Sequence, residues 1–324
     1  MNAYEKPAVL LIGEGITALT ALRSLLTRCR VAAIVRKAAF AATDPVHVLA
    51  YEEEIPTYDV SRPSELADLV KAIQPDAVVI SSFHHILPAE TLSLSRFVNV
   101  HYSPLPRYRG RANVNWAIIN GEPSAAISIH MITPGLDSGN LLYQEEIPIR
   151  LNDTAGTLYA QLNAIQEREL AGAVLRMLAG DPGRPQDHER ATYGCARVPG
   201  DGEIDWKAST VGIDRLIRGL SPFPLFPGAF TFFDMRRWIV TQAQPAPGAP
   251  AYEGRVPGRV VGRSAKSGWV DVLTGDGILR LMEMAEPSGR TFHPATLISS
   301  TRDTLGISVA DLLTRIEIFS TTKS

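Results

Sequence analysis

Short apolar blocks recur through the first two-thirds of the chain, each followed by a glycine turn, a polar turn or a helical stretch. Residues 8–12 (Ala-Val-Leu-Leu-Ile), 31–35, 76–80 and 97–101 all have strand length, and the first reads as a buried strand ending at Gly13-Glu14-Gly15. Residues 16–27 and 63–73 carry helical patterns, the second with Pro63 in its first turn, where a missing N–H costs nothing. Strand blocks that alternate with helices call for an α/β layer structure around a mostly parallel, Rossmann-like sheet. Residues 126–132 alternate and lead into Gly135-Leu136-Asp137-Ser138-Gly139. Asn152-Asp153-Thr154 offers a cap for a long helix to residue 178, closed by Gly180.

Residues 180–202 turn polar and rich in proline and glycine, which places a domain boundary near residue 200. The expected domains are therefore 1–200 and 201–324. Past the boundary, a helix at 208–219 precedes strand-like pieces at 228–233, 238–242, 258–262, 268–273 and 277–282. Strands of that length and spacing suggest a small OB-like β-barrel, with residues 244–254 and their three prolines as a surface loop.

A chain of 324 residues can bury two ordinary cores. Its formal net charge of -2 sets up no overall field toward nucleic acid or an anionic membrane. No run approaches the ~20 apolar residues of a membrane span, and the apolar residues 7–12 end at Glu14 without the shape of a secretory signal. Cys29 and Cys195 have no zinc-ligand spacing. These features predict a cytoplasmic protein with reduced thiols, no membrane partner and no metal.

Gly13-Glu14-Gly15-Ile16-Thr17-Ala18 fits a relaxed dinucleotide turn, with a strand before it and a helix after. The acidic residue that would confirm it is replaced by Arg36-Lys37. An NADP-binding reductase and a plain tight turn in a Rossmann-like sheet both remain open on this pattern. Asn99 and His101 end the 97–101 strand and lie on one face of it, because alternate strand residues point the same way. Asp137 sits in a glycine-flanked turn after a strand, where a carboxylate can reach an imidazole and hold one tautomer. An amide, an imidazole and a carboxylate can stabilise an oxyanion and move a proton in acyl transfer. One of His84 and His85 is expected to line the same crevice, and Trp116 to serve as a stacking surface or a core anchor.

Asn99-Val-His101, Leu105-Pro-Arg107-Tyr-Arg109-Gly110 and Leu136-Asp137-Ser-Gly139 resemble the signature of formyltransferases that use 10-formyltetrahydrofolate. His101 and Asp137 stand 36 positions apart, as that family requires. Residues 83–88 look like its folate-pocket segment. Asn152-Asp-Thr-Ala-Gly-Thr-Leu158, Glu203-Ile-Asp-Trp206 and Ile217-Arg-Gly-Leu-Ser-Pro222 are similar to the methionyl-tRNA formyltransferase branch and its amino-sugar relatives. The resemblance implies a Rossmann-like catalytic domain without a nucleotide cofactor, an OB-like C-terminal domain and 10-formyltetrahydrofolate as co-substrate. Asn99, His101 and Asp137 would be catalytic; Phe83, His85, Ile86, Leu87, Gly135 and Leu136 would bind the folate. A homodimer is compatible with it, though no residue specifies one.

The acceptor is read from departures. The tRNA-acting branch carries an inserted basic loop after the second strand. Here residues 36–54 are short, include Asp44 and Glu52-Glu53-Glu54, and hold Arg36 and Lys37 as their only Lys or Arg residues, a poor reader of phosphates. Arg109-Gly-Arg111-Ala leading to Trp116 resembles the small-molecule branch. A small amine is therefore the expected acceptor: a nucleotide-linked amino sugar, or an N-hydroxyornithine-like amine of siderophore assembly. Ser103, Arg107, Arg109, Arg111 and Trp116 would contact it, and charged initiator tRNA is the alternative partner.

Overall fold

The computed structural model describes residues 6–37, 44–83 and 87–307. The chain divides into two compact units, the second made of Asn115–Glu122, Arg150–Gly156 and the chain from Arg197 onward.

In the first unit, β1 (Ala8–Gly13), α1 (Gly15–Arg28), β2 (Arg30–Lys37), α2 (Pro45–Glu52), β3 (Thr57–Val60), α3 (Pro63–Ile73), β4 (Ala77–Ser81), α4 (Ala89–Leu92) and β5 (Arg96–His101) follow in order. They lead to the two-residue β6 (Arg109–Gly110), β7 (Ser124–Met131), β8 (Leu141–Pro148), α6 (Ala155–Leu178) and the short β9 (Tyr193–Gly194), while α5 (Asn113–Asn120), between β6 and β7, falls mostly in the second unit. The main sheet runs β3-β2-β1-β4-β5-β7-β8. Its first five strands are parallel, and β7 and β8 close the far side antiparallel. Val9, Leu10, Leu11 and Ile12 have no exposed surface, nor do Val78 and Val79. Strands covered on both faces need such continuous apolar runs, so the mostly parallel sheet follows from the sequence pattern.

Several elements lie outside the expected set, three of them informative. β3 is a four-residue edge strand with two exposed residues, too short to stand out by pattern. α2 lies inside the acidic 36–54 segment, started by Asp44 and Pro45. β8 adds an edge strand directly after the Asp137 turn. Gly13 shows why glycine is needed after β1: a Cβ there would stand 1.9 Å from Ser81 O on the paired strand β4.

The second unit carries α7 (Thr210–Gly219) and β10 (Ala229–Phe233), β11 (Arg236–Pro245), β12 (Val260–Arg263), β13 (Val270–Leu273), β14 (Ile278–Ala285) and β15 (Thr291–Phe292). They form an antiparallel sheet in the order β10-β11-β14-β13-β12, with β15 on β14. Among the described residues no pairing joins β10 to β12, so the OB-like expectation holds as far as an antiparallel sheet of short strands. Its core gathers Trp206, Ile213, Ile217, Trp238 and Val272. Ser209 caps α7, its Oγ accepting from Gly212 N at 3.1 Å. No described helix is long and apolar enough to cross a membrane.

Candidate active site

The carboxyl end of β5 carries Asn99 and His101, and antiparallel pairing sets β7 against it with Asn99 opposite His130 and His101 opposite Ser128. Directly opposed residues share a sheet face and lie close. The turn that follows β7 then brings Asp137 back to the same place. The result is a cluster of one amide, two imidazoles and one carboxylate.

Geometry assigns the protons. His130 Nδ1 lies 2.8 Å from Met131 O, and a carbonyl can only accept, so Nδ1 carries the hydrogen. Nε2 is then the acceptor for Asn99 Nδ2 at 3.1 Å. This ring is almost fully buried, its side chain 2% exposed. Burial, with His101 adding to it and Asp137 only partly opposing, pushes its pKa from 6.5 down to about 4. His130 is therefore a neutral acceptor near neutral pH.

His101 is the other way round. Its Nε2 lies 2.8 Å from Tyr108 O and donates to it, with the Asn113 side chain also 2.9 Å away. That leaves Nδ1 as the nitrogen facing Asp137 Oδ2, at 3.6 Å. A proton on Nδ1 makes the ring a cation paired with that carboxylate; without it, Nδ1 is a base.

Asp137 has φ +47°, a left-handed conformation uncommon outside glycine. Its Oδ2 accepts from Gly110 N at 2.9 Å, and Oδ1 lies 3.4 Å from Asn99 Nδ2. The two hydrogens of the Asn99 amide thus point to His130 and Asp137. The 3.4 Å contact is the longer and weaker of the two, so that hydrogen is the one able to turn to a developing oxyanion. The whole arrangement can polarise a carbonyl and shuttle one proton. Among the described residues no group of three or more His, Cys, Asp or Glu is placed to hold a metal ion.

The glycine turn after β1 is a second place where a ligand could sit, and it is filled. Asp44, 7% exposed, accepts from Gly15 N at 3.1 and 3.2 Å through its two oxygens and from Val46 N at 3.0 Å. A helix N-terminus binds anions, and here the anion is the chain's own carboxylate. Arg36, at the position where an arginine could receive the 2′-phosphate of NADP, is 5% exposed and paired with Asp59 at 2.8 Å. The nicotinamide-reductase reading thereby loses both of its footholds.

A formyl transferase family model matches residues 26–174, and a model of the formyl transferase C-terminal domain matches residues 198–302. The chain belongs to the formyl transferase family. Methionyl-tRNA formyltransferase of Caldanaerobacter subterraneus is 32% identical over 253 residues, covering 76% of this chain and 79% of that protein. Among solved structures, the N-formyltransferase from Helicobacter canadensis, in complex with folinic acid and dTDP-3-aminofucose, shares the fold. It has a TM-score of 0.65 at 17% identity over 86% of this chain and 98% of that one. HypX from Aquifex aeolicus gives a TM-score of 0.64 at 17% identity over 92% of this chain. The chain spans about half of HypX, 49% of its length.

Within this formyl transferase, the remaining candidates fall in different places. His85 and Ile86, like His84, lie outside the described residues. Leu87 is a buried member of the core cluster on one sheet face and Phe83 packs against it. Gly135 and Leu136 are exposed, Leu136 at 48%, presenting the turn's main chain to solvent. Ser103 is buried, its Oγ donating to Arg107 O at 3.0 Å, so it shapes the loop that carries Arg107. Arg109 is 4% exposed, with NH2 2.8 Å from Gln186 Oε1 and 2.9 Å from His188 Nδ1. Arg111 is exposed. Trp116 belongs to the second unit, where the Arg197 guanidinium lies 4.7 Å over its ring.

His130 is the residue that sequence reasoning missed. The signal was present: Ser128 and His130 are polar residues alternating with Ile127, Ile129 and Met131, so both lie on one strand face. It became decisive only with the antiparallel pairing to β5.

Proposed function

We propose that the protein transfers the formyl group of 10-formyltetrahydrofolate to a primary or hydroxylated amine of a small molecule. The carrying observation is the Asn99–His101–His130–Asp137 cluster, in which neutral His130 holds the Asn99 amide and His101 presents Nδ1 to Asp137. The donor's folate would pack beside Phe83 and the exposed main chain of the Gly135–Asp137 turn. The acceptor amine attacks the formyl carbon, and Asn99 Nδ2 donates to the oxygen as it becomes an oxyanion, a contribution of about 10²–10³ in rate for one donor. The proton lost by the amine passes by way of His101 Nδ1 and Asp137 to N10 of the folate as the C–N10 bond breaks.

For the acceptor, two observations favour a small anionic molecule over tRNA. Residues 36–54 carry few basic groups, and Asp44 within them faces inward on α1 rather than outward. In addition Arg107, Arg184 and Arg190, with Glu146 and Asp187 among them, border a hollow of about 280 Å³ beside residues 104–107; the guanidinium groups outnumber the carboxylates and suit a diphosphate. The Helicobacter N-formyltransferase is in complex with dTDP-3-aminofucose, a sugar nucleotide. Against this stands the 32% identity to a methionyl-tRNA formyltransferase.

The test offers the protein 10-formyltetrahydrofolate with charged initiator tRNA, a nucleotide-linked amino sugar or N-hydroxyornithine. Formylation of one of the two small amines, with tRNA at background, is the expected result. Turnover of tRNA alone would overturn the acceptor assignment and leave the chemistry standing; no transfer from the folate to any amine, with no folate binding, would overturn the chemistry.

A further inference from the structure

We propose that Gln186 is a positioning residue that holds Asp137 in its working conformation, braced from behind by Arg109. This rests on the reading of Asp137 as a group that acts in formyl transfer.

The Asp137 turn has little to hold it from outside. Thr133 to Leu136 are exposed, and Asp137 itself sits at a left-handed φ that an L-residue adopts only when its surroundings impose it. On the inner side, one side-chain amide grips the turn twice. Gln186 Nε2 donates to Asp137 O at 2.8 Å and to Gly139 O at 2.7 Å. Both hydrogens of that amide are thus committed to the turn, and Gln186 Oε1 accepts from Arg109 NH2 at 2.8 Å. Gln186 and Arg109 are 6% and 4% exposed.

The contacts close into a ring. Arg109 braces Gln186, Gln186 holds the Asp137 main chain, and Gly110, the residue after Arg109, donates to the Asp137 carboxylate at 2.9 Å. Arg109 and Gly110 are themselves fixed as β6 by pairing with Tyr193 and Gly194 of β9. Asp137 is therefore located through its backbone and its side chain by two neighbours in the same short strand. A buried amide with every hydrogen bond made specifies one geometry. Replacing it with an apolar group removes the Gln186 bond from three partners at once: Asp137 O, Gly139 O and the Arg109 guanidinium, which keeps its contact with His188 Nδ1. Gln186 lies in the polar, proline- and glycine-rich stretch after α6, where sequence pattern alone suggests only a linker.

The test is Gln186→Met, similar in length but without donors. We expect kcat, measured with whichever of the three amines turns over fastest, to fall roughly 10–100-fold, the cost of a small misplacement of an acting group. KM for 10-formyltetrahydrofolate should change by a smaller factor than kcat, since the Gln186 bonds go to Asp137 O and Gly139 O and not to Gly135, Leu136 or Phe83, beside which the folate packs. Because Gln186 acts through Asp137, adding Gln186→Met to Asp137→Ala should lower turnover no further; a merely structural role would make the two losses multiply. Amide exchange at Gly110, which needs no acceptor, should accelerate about tenfold as its bond to Asp137 loosens. If Gln186→Met does not fold, Gln186→Glu keeps an ion pair for Arg109, removes both donors, and should show the same pattern. Parent-like turnover and Gly110 exchange in these variants would overturn the proposal. Parent-like turnover in Asp137→Ala alone would instead overturn the reading of Asp137 on which it rests.

Discussion

Two glycine-flanked turns at strand ends of the same sheet each meet one carboxylate in a nearly dry environment, Asp137 within its own turn and Asp44 reaching in from the start of α2, and they use it in opposite ways. After β1, the Asp44 oxygens accept from the backbone N–H groups of Gly15 and Val46 at 3.0–3.2 Å. Those bonds give α1 the cap that its own Glu14 side chain does not supply, and they cap α2 as well. After β7, Asp137 takes one backbone N–H among the described residues and turns its remaining capacity toward an amide and two imidazoles at 3.4–3.7 Å. A carboxylate saturated by main chain is a structural anion. One left short of donors, beside groups that can exchange a proton, is equipped for chemistry. The Rossmann-like sheet carries both, and its usual anion site after the first strand is the one that has been closed.

Substitutions that break this contrast should differ widely in effect. Asp137→Ala and His101→Ala are each expected to lower formyl transfer by about two orders of magnitude or more, with folate binding, measured by titration, largely intact. His130→Leu removes the acceptor that orients the Asn99 amide, and turnover should fall by roughly tenfold in a steady-state assay. The same substitution sharpens the electrostatic account. A folded-state pKa of about 4, below the ordinary 6.5, means that the unfolded chain gains a proton between those values while the folded chain does not. His130 therefore costs no stability above about pH 6.5, and stability is lost as the pH falls from there toward 4, by an amount on the order of 3 kcal/mol. Denaturant unfolding from pH 7 to 4 should show a shallower decline in His130→Leu than in the parent. The smallest effect on activity belongs to Asp44→Ala: turnover within about threefold, but stability lower by about 1–2 kcal/mol as two helix starts lose their cap. Inorganic phosphate should then raise the melting temperature of Asp44→Ala and not that of the parent.

How much of this could be read from the chain depends on the range of the forces involved. The parallel part of the sheet was legible because strands such as 8–12 and 77–80 are buried on both faces and need unbroken apolar runs. The antiparallel return of β7 was not, since the alternation of residues 126–132 fits either direction. With it went His130, whose place opposite Asn99 exists only in that register. Asn99, His101 and Asp137 could be picked out by residue type and spacing, and the structure brings all three together. Arg109 looked like a surface cation in a run of arginines, yet partners 77 and 79 positions away, Gln186 and His188, draw it inside. Asp44 counted as one acidic residue among several; its capping of α1 is a contact across 29 positions.

The central claim is that the carboxylate after β7 drives formyl transfer while the one after β1 only caps helices. Single-turnover transfer from 10-formyltetrahydrofolate labelled in its formyl group, measured side by side for the parent, Asp137→Ala and Asp44→Ala, tests it most directly. The account predicts a rate at least about 100-fold lower for Asp137→Ala and within about threefold of the parent for Asp44→Ala. Equal rates for Asp137→Ala and the parent, or an equal loss in both variants, would contradict it.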